Sequence, residues 1–355
     1  MKTTKIIFTL ALCAGIFASC TKEEAVQTEA VKGVPMSFTA SITAATKTSY
    51  EDDATAKTLK TSWAVGDKIS VITLDDSNAV QTVDNFTAQA AGSSATFSGT
   101  FTGGDSPATI IVCYPAYDNG TALVGSSNTY TYTTSPSVDA VYGGANLCRF
   151  GLCQSNNASY KKFDFSYMSQ FADGDPSHLK YYDYMYGTAT LDGATLTGVT
   201  MSKNITVFKV TINTSAIPEG TAMKCVRLKI GSNLFGTGSW SYSYAPAQSN
   251  IGGKNNTISL YLGSNSSGGS DASSFSGITK TAGDDELVVY IPNNIQNGTS
   301  TTYAYDENNI KYFTVSVGCG ESAATVYSKE AMLTKDFYMV AGKVETISAT
   351  VAATD

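Results

Sequence analysis

The sequence predicts an all-β protein in which two β-sandwich domains follow one another along the chain. Short segments of alternating apolar and polar residues recur almost to the C-terminus, and no long segment shows the 3.6-residue period of a helix. The composition agrees, because 21 Tyr and 15 Phe accompany a charged fraction of only 15%, whereas about 25% is usual for soluble domains. The chain has 355 residues, which is more than one hydrophobic core usually serves. Two domains are therefore expected.

The first 19 residues predict a signal peptide. Lys2 and Lys5 form a short basic head, and the segment 6–18 that follows carries no charge. In a helix this segment would reach about 20 Å, too short for a hydrocarbon core of ~30 Å, so it is expected to direct export and not to span a membrane. The sequence Phe-Ala-Ser-Cys at 17–20 resembles a bacterial lipobox. This resemblance predicts that Cys20 is acylated and becomes the mature N-terminus; ordinary cleavage that leaves a free thiol is the alternative.

Residues 20–34 predict a flexible tether, because the segment is rich in Glu, Lys, Gln and Thr and contains no aromatic residue. Within it, Thr-Lys-Glu-Glu at 21–24 resembles the acidic export tag that sends some Gram-negative lipoproteins to the outer face of the outer membrane. A solvated charged spacer is the alternative explanation of these four residues. The expected location is the cell outer membrane, where two or three acyl chains on Cys20 would anchor the protein firmly at the surface.

The balance of charge argues against nucleic acid as a partner. The formal net charge is −7, and it becomes −9 when residues 1–19 are removed with their two lysines. No cluster of Lys and Arg is present in the sequence to neutralise phosphates.

The N-terminal domain is predicted to occupy residues 35–190. Its first strand alternates polar residues with four apolar residues that are expected to face the core: Met36, Phe38, Ala40 and Ile42. A hairpin is predicted in which Phe86, Ala88 and Ala90 pair with Phe97, Gly99 and Phe101 across the turn at 91–94. The continuous apolar run Thr109–Tyr114 predicts a central strand. Trp63 ends an alternating segment and is expected to be buried.

The C-terminal domain is predicted to occupy residues 191–355. Residues 191–198 are polar and contain glycine, which predicts a connection between the two domains. Alternating segments then predict strands near residues 207–212, 226–230, 258–262, 287–291 and 313–317, and Val344–Val351 predicts the closing strand. Two sandwiches of roughly seven strands each fit this spacing better than one large barrel.

Four motifs, in this order along the chain, resemble the fimbrillin family, the subunits of type V pili. They are Thr48-Ser49-Tyr50, the segment 62–71, the segment 183–187 and Ala341-Gly342-Lys343. The chain departs from the family's pattern in two places, because 201–207 contains no His and Glu345 stands where an aromatic residue is common.

The resemblance implies two transthyretin-like β-sandwich domains, a lipoprotein precursor and a structural role in a cell-surface fimbria. That role is a stalk subunit or a minor anchor or tip component that supports adhesion. The expected partners are other fimbrial subunits, outer-membrane lipid through Cys20, and host or bacterial surface ligands. No enzymatic activity is expected.

The resemblance also implies assembly by strand exchange. In the family, a protease removes the first strand and a strand from another subunit fills the groove. Here the loss of the first strand would expose an apolar slot bounded by unpaired backbone groups, and Val344–Val351 is the candidate donor. The arginine at which the family is cut is missing, since the first arginine is Arg149. Lys47 is the nearest substitute, and an ordinary turn lysine is the alternative.

A row of aromatic residues supports an alternative function. Trp240, Tyr242 and Tyr244 alternate with Ser, so the three rings would share one face of a strand. Exposed rings in this arrangement could stack on sugars and make the chain a surface glycan-binding lipoprotein. Packing of the rings on a core or a domain interface is the favoured explanation, because large rings usually supply burial.

Other reactive residues predict structure more readily than chemistry. The one histidine, His178, ends a polar segment, 173–178, that predicts a turn and offers no partner for catalysis. Asp173 and Asp175 lack the later acidic residue that a calcium loop of the EF-hand type requires. Two arrangements are left open for the cysteines that follow Cys20: a small disulfide loop closed by Cys148 and Cys153, or buried thiols. These five cysteines are Cys113, Cys148, Cys153, Cys225 and Cys319. No cofactor and no metal site is expected.

Overall fold

The computed structural model describes 26 β-strands and two short 3₁₀ segments, and among the described residues there is no α-helix. The described residues are 33–42, 51–53, 58–60, 62–77, 80–103, 107–114, 116, 131–134, 149–155, 158–165, 168–243, 251–265, 271–295, 301–303, 311–332 and 337–354. The prediction of an all-β protein is confirmed. The predicted signal peptide, Cys20 and Lys47 lie outside the described residues.

The first thirteen strands lie between residues 34 and 203. They are β1 (Val34–Ile42), β2 (Glu51–Asp53), β3 (Thr58–Lys60), β4 (Lys68–Leu74), β5 (Val80–Ala88), β6 (Ser94–Phe101), β7 (Thr109–Tyr114), β8 (Thr131–Thr134), β9 (Arg149–Ser155), β10 (Ala158–Asp164), β11 (Ser169–Gln170), β12 (Met185–Asp192) and β13 (Thr195–Lys203). A 3₁₀ segment, Ser177–Tyr181, lies between β11 and β12.

The remaining strands follow from residue 205 onward. They are β14 (Ile205–Asn213), β15 (Ala222–Ile230), β16 (Phe235–Ser243), β17 (Ile251–Asn255), β18 (Thr257–Leu262), β19 (Ile278–Thr279), β20 (Glu286–Asn294), β21 (Thr301–Tyr303), β22 (Tyr312–Cys319), β23 (Thr325–Met332), β24 (Phe337–Met339), β25 (Val344–Thr350) and β26 (Ala352–Ala353). The second 3₁₀ segment, Ala272–Ser274, lies between β18 and β19.

Seven strands of the N-terminal half form a closed barrel in the order β1-β13-β12-β7-β4-β5-β6. The sequence predicts a two-sheet sandwich for this half of the chain, and the closed barrel differs from that prediction. The barrel closes where β1 meets β13, and only two residue pairs are in register there, Ser41 with Thr200 and Ile42 with Met201. A twisted sheet that buries one face can curl until its edge strands meet, which protects both edges from pairing with other chains.

The hairpin of β5 and β6 confirms most of the predicted pairing. Phe86 lies opposite Gly99 and Ala88 lies opposite Phe97, whereas Phe101 pairs with Val34 of β1. Glycine is required at position 99, because a Cβ there would lie 2.6 Å from the carbonyl oxygen of the residue before Phe86 and 2.8 Å from the Phe86 ring.

Strand β7 is central, as predicted, and both of its faces are buried. It pairs with β4 on one side and with β12 on the other. Ile110 and Val112 belong to the barrel core, while Ile111 and Cys113 belong to the core of the C-terminal half. This explains why its sequence is a continuous apolar run and not an alternating one.

Two further sheets share the core of the C-terminal half. One has the order β25-β14-β20-β16-β10-β9-β8, with β17 beside β16, and the other has the order β11-β18-β15-β22-β23-β26, with β19 beside β15. Phe208 and Val210 of β14 and Val226 and Leu228 of β15 lie in one hydrophobic cluster. Two sheets around one core is the arrangement of a sandwich.

The connection predicted at residues 191–198 is wrong, because these residues belong to the hairpin of β12 and β13 in the barrel. Gly193 has a positive φ of 57° and lies in the tight turn between Asp192 and Thr195, which are paired. The glycine marks a turn that a side chain would strain, not a linker. The predicted boundary after residue 190 thus lies inside β12; the division into two domains stays a prediction.

Within the part of the chain that the structure describes, no helix has both the length and the apolar character needed to cross a membrane.

Candidate functional site

Strand β1 is the element on which the predicted assembly depends, and it lies in the wall of the barrel. Met36, Phe38, Ala40 and Ile42 are buried, with exposed fractions of 9% or less. The polar residues between them are exposed or half-buried. The alternation predicted from the sequence is confirmed, so β1 supplies four side chains to the barrel core.

The two edges of β1 are held unequally. Along one edge, β1 pairs with β6 over eight antiparallel residue pairs, from Val34 with Phe101 to Ser41 with Ser94. Along the other edge, only two parallel pairs join it to β13. A hydroxyl adds one contact there, because Thr195 Oγ1 donates to the carbonyl oxygen of Ser37 at 3.2 Å. Removal of β1 would therefore leave mainly the β6 edge without a ladder partner.

Phe38 anchors β1 in an aromatic cluster. The centroid of its ring lies 4.9 Å from that of Phe86, edge to face, and 6.2 Å from that of Phe97, with the rings nearly parallel. Trp63 packs edge-on against Phe97 at 5.0 Å and against Tyr114 at 5.5 Å. Each such pair is worth about 0.5–1.5 kcal/mol beyond burial.

Trp63 joins this cluster to the backbone of β1. Its side chain is fully buried, which confirms the prediction, and its Nε1 donates to the carbonyl oxygen of Ala40 at 3.3 Å. Ala40 itself is 0% exposed. Because protein cores are close-packed, this position leaves little room for a side chain larger than alanine.

Strand β25, the candidate donor, is paired in this structure. It pairs in parallel with β14 over seven residue pairs and is the end strand of its sheet. Ile347 and Ala349 are only partly buried against the core, whereas Val351, just beyond the strand, is 1% exposed. The donor is thus a half-buried edge strand.

Residues 346–351, which comprise the end of β25 and the position after it, match residues 37–42 of β1 in residue class at six successive positions, with alanine as the one identity. Residues 37–42 are Ser-Phe-Thr-Ala-Ser-Ile, and residues 346–351 are Thr-Ile-Ser-Ala-Thr-Val. In this alignment three hydroxyl residues coincide with three hydroxyl residues, apolar residues coincide with apolar residues, and Ala349 coincides with Ala40.

A buried ion pair lies beside the barrel, where β13 ends. Lys203 Nζ lies 2.7 Å from Asp183 Oδ2. Burial lowers the pKa of Lys203, and the Asp183 carboxylate opposes that shift. Burial also raises the pKa of Tyr114 well above its ordinary value, with smaller contributions from the charges of Asp67 and Asp183.

The same region gives a structural reason for two positions of the 183–187 motif. Asp183 is needed to neutralise Lys203. A Cβ at Gly187 would collide with the carbonyl oxygen of Thr200 in β13, so only glycine allows the close approach of the two strands.

His178 lies in the 3₁₀ segment Ser177–Tyr181, which follows the predicted turn, and its burial is not foreseen from the sequence. The side chain is 1% exposed, and Nε2 lies 2.7 Å from the carbonyl oxygen of Tyr290. Burial lowers the pKa of His178 to about 4, so at neutral pH the ring is uncharged and Nε2 carries the hydrogen that it donates. The polar segment 173–178 contains no signal for this contact, because Tyr290 is 112 residues away in sequence.

Two acidic residues of the same turn hold backbone groups. Asp173 Oδ1 accepts from the Val288 N–H at 2.6 Å. Asp175 accepts from the Ser177 N–H at 2.9 Å and from its hydroxyl at 2.7 Å. The described residues contain no group of three or more His, Cys, Asp or Glu that could hold a metal ion.

The aromatic row of the alternative function is described only in its backbone. Trp240 and Tyr242 lie in β16, opposite Phe163 and Lys161 of β10, while Tyr244 lies outside the described residues. Glycan binding by this row stays a prediction.

Three of the five cysteines are buried thiols: Cys113, Cys225 and Cys319. Burial, as the first cause, raises the pKa of Cys225 and raises that of Cys319 to about 11, which makes both thiols poor nucleophiles at neutral pH. Cys148 lies outside the described residues, and only the backbone of Cys153 is described. The small disulfide loop that these two could close stays a prediction.

No family model matches the sequence, and no curated protein matches it. Similar solved structures include a candidate cell adhesion protein from Bacteroides ovatus, with 11% identity and a TM-score of 0.41 over 91% of this chain and 97% of that one. A candidate cell adhesion protein from Bacteroides uniformis has 10% identity and a TM-score of 0.37 over 82% of this chain and 91% of that one. The fimbrial anchor protein Mfa2 from Porphyromonas gingivalis has 11% identity and a TM-score of 0.30 over 80% of this chain and 78% of that one. All three TM-scores lie below 0.5, so the function proposed below rests on the residues of this chain.

Proposed function

We propose that this chain is a structural component of a cell-surface fimbria, as a stalk subunit or as a minor anchor or tip component, and that it supports adhesion. It is lipid-anchored to the outer membrane through Cys20 and joins neighbouring subunits by strand exchange. Its two halves correspond in this proposal to two transthyretin-like domains.

The observation that carries the proposal is the correspondence of β1 and β25. A copy of 346–351 placed in the slot of β1 sets Ile347 and Val351 where Phe38 and Ile42 lie. Ala349 then takes the fully buried position of Ala40, the residue whose carbonyl oxygen accepts from Trp63 Nε1. The three hydroxyl residues fall on the outer face, where β1 already has hydroxyl residues.

Burial favours the exchange. Ile347 and Ala349 are only partly buried in β25, whereas the corresponding residues of β1, Phe38 and Ala40, are 4% and 0% exposed. Moving the donor into the slot therefore buries more of the apolar surface of these two residues, and each Å² of apolar surface buried stabilises the product by about 25 cal/mol. The ladder with β14 is exchanged for a ladder with β6.

Proteolysis would control the exchange, because the chain's own β1 fills the slot until it is released. Lys47 follows β1 in the sequence and is the candidate site for the cut. Such a cut also separates the lipid on Cys20 from the rest of the chain. An uncut molecule would then stay as the membrane anchor while cut molecules polymerise.

The test is limited digestion of the chain with a lysine-specific protease. Cleavage at Lys47 is expected to yield multimers that resist detergent and dissociate on heating. The matched control is Lys47→Gln, which should stay monomeric under the same digestion, and deletion of residues 344–355 should also prevent the multimers.

Two substitutions in β25 test the register. Ala349→Phe should abolish the multimers, because the place of Ala40 has little room for a larger side chain, whereas Ser348→Gln on the other face should leave them unchanged. If the cleaved protein stays monomeric at high concentration, assembly by strand exchange at Lys47 is wrong. If Ala349→Phe multimerises as well as the unaltered chain, the proposed register is wrong.

A further inference from the structure

The strand β20 has a full ladder partner along only one of its two edges. On one side it pairs with β14 at all nine residues. On the other side, among the described strands, only one pair joins it to β16, Gly236 with Asn294. The outer edge from Glu286 to Asn293 is thus without a strand neighbour in the described part of the chain. Edges of this kind are sites at which other chains can add a strand.

At Val288, the outer edge is covered by groups of the turn that follows β11. The Val288 N–H donates to Asp173 Oδ1 at 2.6 Å. The Val288 carbonyl oxygen accepts from the Gly174 N–H at 2.9 Å and from Gln170 Nε2 at 2.8 Å. Both backbone groups of this residue are therefore satisfied without a strand.

At Tyr290, the next residue that faces outward, side chains again replace a strand. The Tyr290 N–H donates to Gln170 Oε1 at 2.9 Å, and the Tyr290 carbonyl oxygen accepts from His178 Nε2 at 2.7 Å. Gln170 is 0% exposed and His178 is 1% exposed. Gln170 is also held by β11, where it pairs with Leu262 of β18, so it marks the fixed end of the covering segment.

We propose that residues 171–178 form a latch, which closes the outer edge of β20 by imitating a missing strand and opens in acid to expose that edge. Gln170 is the hinge, and Asp173, Gly174 and His178 are the contacts that the latch releases. Opening frees the Val288 N–H and the Tyr290 carbonyl oxygen on that edge, whereas Gln170 keeps its hydrogen bonds to the Val288 carbonyl oxygen and the Tyr290 N–H.

Protonation of His178 shifts the equilibrium of the latch toward the open state. The uncharged ring can donate from Nε2 while it is buried, but a charged ring would carry its charge into a site where Asp175 is the acidic neighbour that opposes the burial. From β20 the ring meets a carbonyl oxygen of Tyr290, and the cation of Lys209, on β14, lies over the Tyr290 ring at 5.9 Å from its centroid. Hydrogen bonds to the backbone of Tyr290 and Asp175 and the charge of Asp175 favour the charged ring, but burial outweighs them, so protonation favours the state in which His178 is in water.

When the pH falls, protonation of Asp173 has the opposite effect to protonation of His178, because it favours the closed latch. Its pKa is raised, first by burial and then by the charges of Asp284 and Glu286, against the backbone hydrogen bonds that it accepts. The closed latch therefore takes up this proton more readily than the open one, which resists opening in acid. Asp173→Asn keeps an oxygen acceptor for the Val288 N–H and removes this resistance.

Residue-resolved hydrogen exchange of the full chain tests the latch. The N–H of Val288 points toward the latch, and by the alternation of the ladder the N–H of Val289 points toward β14, so the two adjacent amides report latch and sheet separately. With the pKa of His178 about 4 when closed and 6.5 when open, lowering the pH from 7 to 5 should raise opening at Val288 about 20-fold after correction for intrinsic exchange. The Val289 amide opens only when the sheet itself opens, so its opening should stay rarer than that of Val288 at both pH values. The variant His178→Gln, which does not titrate, should lose the acid response.

The inference is overturned if the two amides open with equal probability, which would mean that Val288 exchanges only through global unfolding, or if His178→Gln responds to acid as the unaltered chain does. A second measurement needs no variant and holds even if His178→Gln does not fold. His178 is the one histidine of the chain, so its ring signals report its protonation directly in a magnetic resonance titration. Protonation of the ring and opening at Val288 should share one midpoint. Protonation without opening would also overturn the latch, and in Asp173→Asn the opening in acid should be larger.

Discussion

Lys203 and Asp183 form an ion pair from which water is excluded, since 3% of one side chain and none of the other is exposed and Nζ lies 2.7 Å from Oδ2. The pair connects the end of β13 with the segment that leads into β12. Burial of two charges costs several kcal/mol, which their attraction and hydrogen bond offset only while both partners are present.

Asp183→Ala is expected to reduce the free energy of unfolding by about 3–5 kcal/mol, because it leaves the Lys203 ammonium group buried without its partner. Urea unfolding measures the effect. The matched control is the double variant Asp183→Leu with Lys203→Met, which removes both charges and should recover most of the loss. A loss below about 1 kcal/mol for Asp183→Ala would contradict the buried pair.

Trp63→Ala is expected to cost about 3–5 kcal/mol, as truncation of a buried aromatic residue does. Trp63→Phe separates the two roles of the side chain, because it keeps a ring against Phe97 and loses the hydrogen bond to the Ala40 carbonyl oxygen. That variant should lose about 1–3 kcal/mol through the unsatisfied carbonyl and the smaller ring. Thermal unfolding measures the stability of both variants. Unchanged stability of Trp63→Ala would refute the core position of Trp63.

Acid should destabilise the folded protein through His178. Its pKa in the folded state, about 4, lies below the ordinary value of 6.5, so between these two values the unfolded chain binds a proton that the folded chain does not. The free energy of unfolding should therefore fall as the pH decreases from 6.5 to 4, by about 3 kcal/mol in total, and this contribution should stay constant at lower pH. Urea unfolding at several pH values measures the slope of the free energy of unfolding against pH. Equal slopes for the unaltered chain and for His178→Gln would rule the effect out.

Cys20→Ala should leave the protein without lipid and outside the membrane fraction, because the thiol of Cys20 is the predicted acceptor of the acyl chains. Mass spectrometry of the mature N-terminus checks this directly. A mature chain that begins elsewhere and carries no lipid would end the lipoprotein hypothesis.

Local pattern was enough to predict the strands that bury one face. In β1, the alternation of Phe38 and Ala40 with hydroxyl residues determines which side chains face the core, because side chains of a strand alternate between its faces. The run that forms β7 likewise predicted a central core strand. Trp63 was predicted to be buried because a large ring at the end of an alternating segment has few other places to go.

Contacts between distant segments were decided only by the tertiary structure. The alternation of β1 is the same in a sandwich and in a barrel, so the two pairs with β13 that close the sheet could not be predicted. Gly193 lies in a polar segment that fits a linker as well as a hairpin turn, and only the pairing of Asp192 with Thr195 distinguishes them. The pattern of one strand specifies its faces but not its neighbours.

What the sequence determined by itself is the class of the protein, the inward faces of its main strands and the likeness of 346–351 to 37–42. The tertiary structure alone decided that Lys203 meets Asp183, that Trp63 bonds to Ala40 and that a turn covers the outer edge of β20. The reason is physical: the period of side chains along a strand is a local property, whereas burial of a charge or of a strand edge depends on which distant group arrives beside it.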